Sequence, residues 1–158
     1  MNHIALVVMI LLASTASAGE VAYRTGGKSF TKAWHQFYDF GDHEPELDDP
    51  LIRRGKSIIP AICQAVAHPD MKYRRYALSA LGYIKDPRAI PCLERILKDR
   101  EEIDYFRGDA LQAIYLIDPP MGRNYADQFK SDNSYLRMIH DMINKNAFPL
   151  DSTGLEQE

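Results

Sequence analysis

No excess of basic charge marks this sequence: 19 Lys and Arg stand against 22 Asp and Glu, a net charge of −3, with the two signs well mixed. A nucleic-acid-binding face concentrates positive charge, so no nucleic-acid partner is expected. Beyond the N-terminal leader described below, no apolar run reaches the ~20 residues that a membrane-spanning helix needs. Gly-rich phosphate loops are absent too. Gly26-Gly27-Lys28-Ser29 lacks the earlier Gly and the preceding apolar strand of a P-loop. Neither a Gly-x-Ser-x-Gly elbow nor a Cys–His dyad pattern occurs, so nucleophilic catalysis has no positive signal. Asn-x-Ser/Thr sequons are missing, because Asn133-Ser134 is followed by Tyr135, which is compatible with a bacterial periplasm.

What is present begins at the N-terminus. Met1-Asn2-His3 precedes an unbroken apolar run from Ile4 to Ala13, then Ser14 to Ala18, then Gly19-Glu20. A charged start, a short apolar stretch and an Ala-x-Ala ending (Ala16-Ser17-Ala18) read as a cleavable secretory signal over residues 1–18. Ile4 to Ala18 is fifteen residues, some of them Ser and Thr, too short for a bilayer-spanning anchor. No Cys adjoins the cleavage point, so lipid attachment there is unavailable. The expected mature chain starts at Gly19 and is exported.

The centre of the chain repeats itself. Ile58-Ile59-Pro60-Ala61-Ile62 returns thirty-one residues later as Ala89-Ile90-Pro91-Cys92-Leu93. Each Pro precedes a run of apolar residues at helical spacing: Ile59, Ile62, Cys63 and Val66 in one, Ile90, Leu93, Ile96 and Leu97 in the other. Pro is tolerated only in a helix's first turn, where its missing N–H has no partner to lose, so Pro60 and Pro91 mark two helix starts. Tyr73 to Leu81 likewise aligns with Phe106 to Ile114, and each run ends in an Asp-Pro step, Asp86-Pro87 and Asp118-Pro119. Asp caps the free N–H groups of the next helix, and Pro discourages continuation of the last. The unit is helix, tight turn, helix, about every thirty-two residues.

Tyr73 to Lys98, YRRYALSALGYIKDPRAIPCLERILK, resembles a HEAT-like repeat of the short phycobilisome-lyase type. Arg74, Ala77, Ala80, Leu81, Gly82, Asp86, Pro87, Arg88, Ala89, Ile90, Pro91 and Leu93 fill that family's pattern. Gly55 to Val66 resembles a second helix, and Tyr105 to Pro119 a degraded first helix with Tyr115 where the pattern has Gly. The resemblance implies a right-handed array of antiparallel helix pairs that acts as a protein-binding scaffold. The chromophore-lyase activity of some members is not carried over, because no lyase-specific residue is present. The expected fold is all-α: a short right-handed α-solenoid of about three helix pairs between helical caps.

The flanks fit that plan. Phe30, Ala33, Trp34 and Phe37 stand at i, i+3, i+4, i+7 and predict an amphipathic capping helix over Ser29 to Phe40. Asp42 to Asp49, with five acids in eight residues and Pro45, reads as a solvated linker; Glu46 to Gly55 is expected as the first helix of repeat one. Tyr125, Phe129, Leu136, Ile139, Met142 and Ile143 carry the periodicity to Asn146. The domain plan is signal 1–18, cap and linker 19–45, repeat array 46–147 and flexible tail 148–158.

Two constellations carry chemistry. His35, Asp39, Asp42, His43 and Glu44 hold nitrogen and oxygen groups that zinc accepts, although the spacing fits no metal motif and the acids lie in a charged linker. His68 and His140 lie on different helices, far apart in sequence. The second constellation is Cys63 and Cys92, a candidate bridge in an oxidising compartment. On the repeat offset the two thiols stand about 200° apart around their helices with an axial stagger of about 3 Å. Such flanks either meet at the inter-repeat seam or face away, and both remain open. An ordinary apolar core asks for no cofactor.

The functional expectation is an exported, non-enzymatic protein-interaction module, either an envelope assembly factor or an immunity protein against a secreted toxin. Its partner face would be the polar strip opposite the core stripe of the second helices: Gln64, His68, Arg88, Arg95 and Asp99. The alternative is a metal-dependent periplasmic enzyme using His35, Asp39 and His43.

Overall fold

A computed structural model describes residues 27–40, 49–129 and 134–148. The expected leader, His43 with the acids from Asp42 to Asp48, and the residues after Phe148 lie outside the described residues. Among those described, every element is helical: α1 Gly27–Phe40, a 3₁₀ segment Ile52–Ile58, α2 Ile59–Ala65, α3 Arg74–Ile84, a 3₁₀ turn Pro87–Ala89, α4 Ile90–Lys98, α5 Asp104–Ile117, α6 Pro119–Gln128 and α7 Ser134–Asn144. The 3₁₀ segment with α2, α3 with α4, and α5 with α6 form three successive pairs, flanked by α1 and α7. This is the all-α HEAT-like stack expected from the repeat.

The Asp-Pro steps set the joints. Asp86 Oδ1 accepts the Arg88 backbone N–H at 2.9 Å, and Asp118 Oδ1 accepts that of Met121 at 2.9 Å. Both satisfy donors that a helix start leaves orphaned. Asp49-Pro50 is a third such step, with Asp49 Oδ1 accepting the Leu51 N–H at 2.7 Å. Asp49 is therefore a buried cap and not part of a solvated linker. The expected helix from Glu46 to Gly55 is also corrected. Its described part winds as a 3₁₀ segment broken at Gly55, whose φ of 57° no right-handed helix accommodates. Pro60 and Pro91 occupy the first turns of α2 and α4, as their chemistry requires.

α5 is the hub, packing against α3, α4, α6 and α7. Most of its circumference is therefore buried, from Gly108 through Leu116 with the half-buried Gln112 between. Close approach of its neighbours depends on missing side chains. A Cβ on Gly122 of α6 would lie 2.4 Å from the Tyr115 Cα, and one on Gly82 of α3 would lie 3.0 Å from the Ala113 Cα. Leu78, Leu81, Leu93, Leu97 and Leu111 fill the space between these helices without exposure. Burying each such side chain contributes roughly 1.5–3 kcal/mol.

Trp34 and Phe37 of α1 are buried, with Phe37 edge-on to Tyr73 at 6.4 Å. Phe30 lies under the Arg54 guanidinium of the 3₁₀ segment at 5.9 Å, so the aromatic stripe covers the array from its first pair to the start of α3. At the other end Phe148 is buried beside Tyr115, ring centroids 5.9 Å apart. Apolar packing reaches at least one residue past the expected end of the array at 147.

Candidate partner-binding cleft

One side chain recurs at the joints between repeats. Arg74, at the start of α3, donates from Nε to the Val66 carbonyl at 2.7 Å. Arg107 of α5 donates in the same way to the Leu97 carbonyl at 3.0 Å. Val66 and Leu97 end the second helices of successive repeats, where carbonyls lack intrahelical partners and the helix dipole is negative. Each Arg thus clasps the preceding repeat. Arg107 also pairs through Nη1 with Asp104 at 2.6 Å. Arg74 pairs through Nη2 with Glu102 Oε2 at 2.7 Å and lies over the Phe106 ring at 4.6 Å.

Beside this clasp the second helices of repeats one and two are joined. Cys63 of α2 and Cys92 of α4 form a disulfide with Cα atoms 5.6 Å apart. Of the two arrangements the sequence left open, the flanks meet at the seam. Between the bridge and the clasp lies a cleft of about 250 Å³. Cys63, Val66, Ala67, Pro69, Cys92 and Ile96 give it an apolar lining, and Arg74, Arg95, Asp99 and Glu102 supply polar groups.

The five residues of the expected partner strip are distributed unequally about this cleft. Arg95 and Asp99 line it. Gln64 is exposed and His68 half-buried on the neighbouring turn of chain, but neither lines the cavity. Arg88 is exposed and turned to other work: its Nε and Nη2 bind Asp86 at 2.9 and 3.0 Å, and Nη2 also donates to the Lys56 carbonyl at 3.2 Å. Those side-chain hydrogen bonds, with the backbone one, hold the Asp86 carboxyl down at about 2. Arg88 therefore braces a turn against the preceding repeat.

His35 and Asp39 stand exposed on α1, and His43 lies outside the described residues. Among the described residues no three potential ligands converge in a way that could hold a metal ion. Nor is any described helix long and apolar enough to cross a membrane.

A second polar cluster lay hidden from sequence reasoning. Asp109, on the buried hub helix, is 3 % exposed and accepts a hydrogen bond from the Tyr135 hydroxyl. Arg75 Nε stands 3.4 Å from Asp109 Oδ2, an ion pair without a well-formed hydrogen bond. Burial raises the Asp109 carboxyl to about 6, against the lowering effects of Tyr135 and Arg75. The same desolvation, with the Asp109 hydrogen bond, pushes the Tyr135 phenol up. Tyr105 stacks on Tyr135 at 3.9 Å, and Arg75 donates to both hydroxyls. An acid within an otherwise apolar helix pattern was the available signal; its partner, sixty residues from Arg75 in sequence, had none.

Residues 48–117 match the family model of HEAT repeats. The matched span runs from the edge of the Asp49 cap to the end of the hub helix, so every residue of the cleft falls within it. The helix pairs at 74–98 and 104–128 carry the two Arg clasps, and the disulfide joins the second helices of the first two pairs. No curated protein and no solved structure matches the chain.

Proposed function

We propose that this chain is an exported, non-catalytic interaction module that holds a partner protein at the seam between its first two repeats. The observation that carries the reading is the cleft itself. It lies within matched HEAT repeats, which typically mediate protein contacts, and it presents an exposed Arg beside an apolar lining. Arg combines a fixed donor fork with an apolar stem and is enriched at binding hot spots. Export is supported by the leader over residues 1–18 and by the Cys63–Cys92 bridge, since disulfides persist in oxidising compartments. The motif from Arg74 to Leu93 favours the short phycobilisome-lyase type of repeat, used here for contact and without lyase chemistry.

An assembly factor and an immunity protein differ in what they capture: a resident envelope component or a secreted toxin. The test uses the mature protein as bait in envelope extract, identifies what it holds, and measures affinity by calorimetry. Arg95→Ala should weaken binding by about 1–2 kcal/mol or more while leaving thermal stability nearly unchanged. Unchanged affinity on substituting Arg88, Arg95 and Asp99 together moves the site elsewhere, first to the Trp34 cap.

A further inference from the structure

Arg74 is 3 % exposed, yet one of its terminal nitrogens, Nη1, has no hydrogen-bond acceptor. A guanidinium carries five N–H donors in a fixed plane, and a buried donor left unmade costs the full desolvation of that group. The repeat supplies its own control. In the next unit the equivalent Arg107 pairs its Nη1 with Asp104. The clasp itself therefore does not require a buried, unfilled nitrogen. The Arg107 side chain keeps 16 % of its surface exposed, and of the two copies only Arg74, which lines the cleft, buries a terminal nitrogen without an acceptor.

The charges around the cleft point to what is missing. Both acids accept backbone N–H groups, and Glu102 alone also pairs with a guanidinium. Glu102 meets Arg74 through Oε2 and accepts the Ile103 N–H at 3.0 Å through Oε1; Asp99 Oδ1 accepts the Glu101 N–H at 3.0 Å. The two guanidiniums are not saturated. Arg95 is exposed and makes no ion pair among the described residues, and Arg74 keeps its free Nη1. Beside both lie the apolar walls of Val66, Pro69 and Ile96.

We propose that this cleft binds a carboxylate carried on an apolar stem, accepted by Arg95 at the mouth and Arg74 Nη1 at the wall. The inference rests on the interaction reading and names the chemistry of the partner group. Two sources present that chemistry, an acidic side chain and a C-terminal carboxylate on an apolar last residue. Carboxylates accept from guanidinium forks with shorter, stronger bonds than neutral acceptors do. The volume of about 250 Å³ suits one side chain.

Three small probes test it on the mature protein by NMR: N-acetyl-leucine, N-acetyl-leucinamide, and N-acetyl-glutamate α-amide. The first offers only a terminal carboxylate, the second none, the third only a side-chain carboxylate. At least one carboxylate should shift the Arg74 Nε–H and the backbone amides of residues 95–99 saturably, with Kd of about 1–10 mM. The tighter of the two names the source, and leucinamide should leave these signals in place. Arg95→Gln should weaken carboxylate binding about fivefold or more with the fold's spectrum intact, so the result does not depend on whether an Arg74 variant folds. Equal binding of leucinamide, indifference to Arg95→Gln, or no saturation by about 50 mM of either carboxylate overturns the assignment. If a captured protein partner depends on Arg95 while no carboxylate probe binds, the carboxylate falls and the interaction reading stands. If a carboxylate binds and no protein partner depends on Arg95, the carboxylate site stands and the interaction reading falls.

Discussion

The buried Asp109 should make this protein more stable as pH falls from 8 toward 4.5, the reverse of the usual carboxylate behaviour. Its carboxyl is raised from 3.8 to about 6 because burial penalises the charged form more than Tyr135 and Arg75 relieve it. A folded pKa above the unfolded one means that the native state binds the proton more tightly. Between those values the native state holds more protons, so stability declines as pH rises. The full difference of roughly two units corresponds to about 3 kcal/mol, present as a penalty above pH 6 and absent below pH 3.8. About 2 kcal/mol of it should be recovered by pH 4.5. Asp86 does not interfere, because its depressed carboxyl loses stabilisation only below pH 3.8. The assay is urea unfolding across this range on wild type and Asp109→Asn. The histidine background is common to both, and the difference between the two profiles isolates Asp109. Tyr135→Phe should move the transition to higher pH, since its hydroxyl is one of the groups holding the carboxyl down. Parallel profiles for wild type and Asp109→Asn would refute the reasoning.

Three further outcomes are expected. Leu81→Ala should cost roughly 2–5 kcal/mol by denaturant midpoint, because Leu81 is fully buried in the central repeat; a loss below about 0.5 kcal/mol would mean the repeat register is wrong there. Reducing the Cys63–Cys92 bridge, which spans 29 residues of sequence, should lower stability by about 3–4 kcal/mol on chain-entropy grounds, and a Cys63→Ala, Cys92→Ala double variant should show the same loss without reductant. Midpoints that ignore reductant would mean the thiols are not joined. Intact mass of the protein after expression of the full sequence in a cell with a secretory pathway should show cleavage after Ala18, and a mass retaining residues 1–18 would remove the leader assignment.

The fold was legible because its signals are local and repeated. Pro60 and Pro91 announce helix starts by a missing N–H, and the aromatic stripe of α1 announces its buried face by periodicity alone. Asp49 escaped because it follows a run of acids whose simplest meaning is a solvated linker, even though Asp49-Pro50 has the same form as the two recognised steps. Gly55 escaped for a different reason: a positive φ is a property of the packed turn, and the sequence around it alternates neither like a strand nor like a broken helix. At the site, Arg95 and Asp99 were reached from the helical offset that also found the core. Gln64 and His68 share that offset yet miss the cleft, because the cavity opens at the seam between helices and not along their outer faces. The Asp109–Tyr135 contact was beyond reach, since nothing in one helix names the residue that another will place over it.

The two Arg clasps carry this one step further. Residue matching between repeats identifies Arg74 and Arg107 as equivalents, and the equivalence holds at the atom that does structural work, with Nε on the last carbonyls of the preceding helix in both. It fails at the terminal nitrogens, where the partner is Asp104, three residues before its Arg in one copy, and Glu102, from the following loop, in the other. In the pattern that defines the repeat, Arg74 is an element of the scaffold, and nothing in that pattern marks one copy as different. The difference arises from the surroundings that each copy meets: Arg107, paired with Asp104 on its own helix, stays partly open to water, while Arg74, paired with Glu102 from the loop, buries a terminal nitrogen that has no acceptor. In a repeat array a specific site thus emerges where a shared structural residue is left incompletely satisfied by its local surroundings. That places the search for this protein's ligand at the Arg74 end of the cleft, where repeat-derived structure and unrepeated chemistry meet.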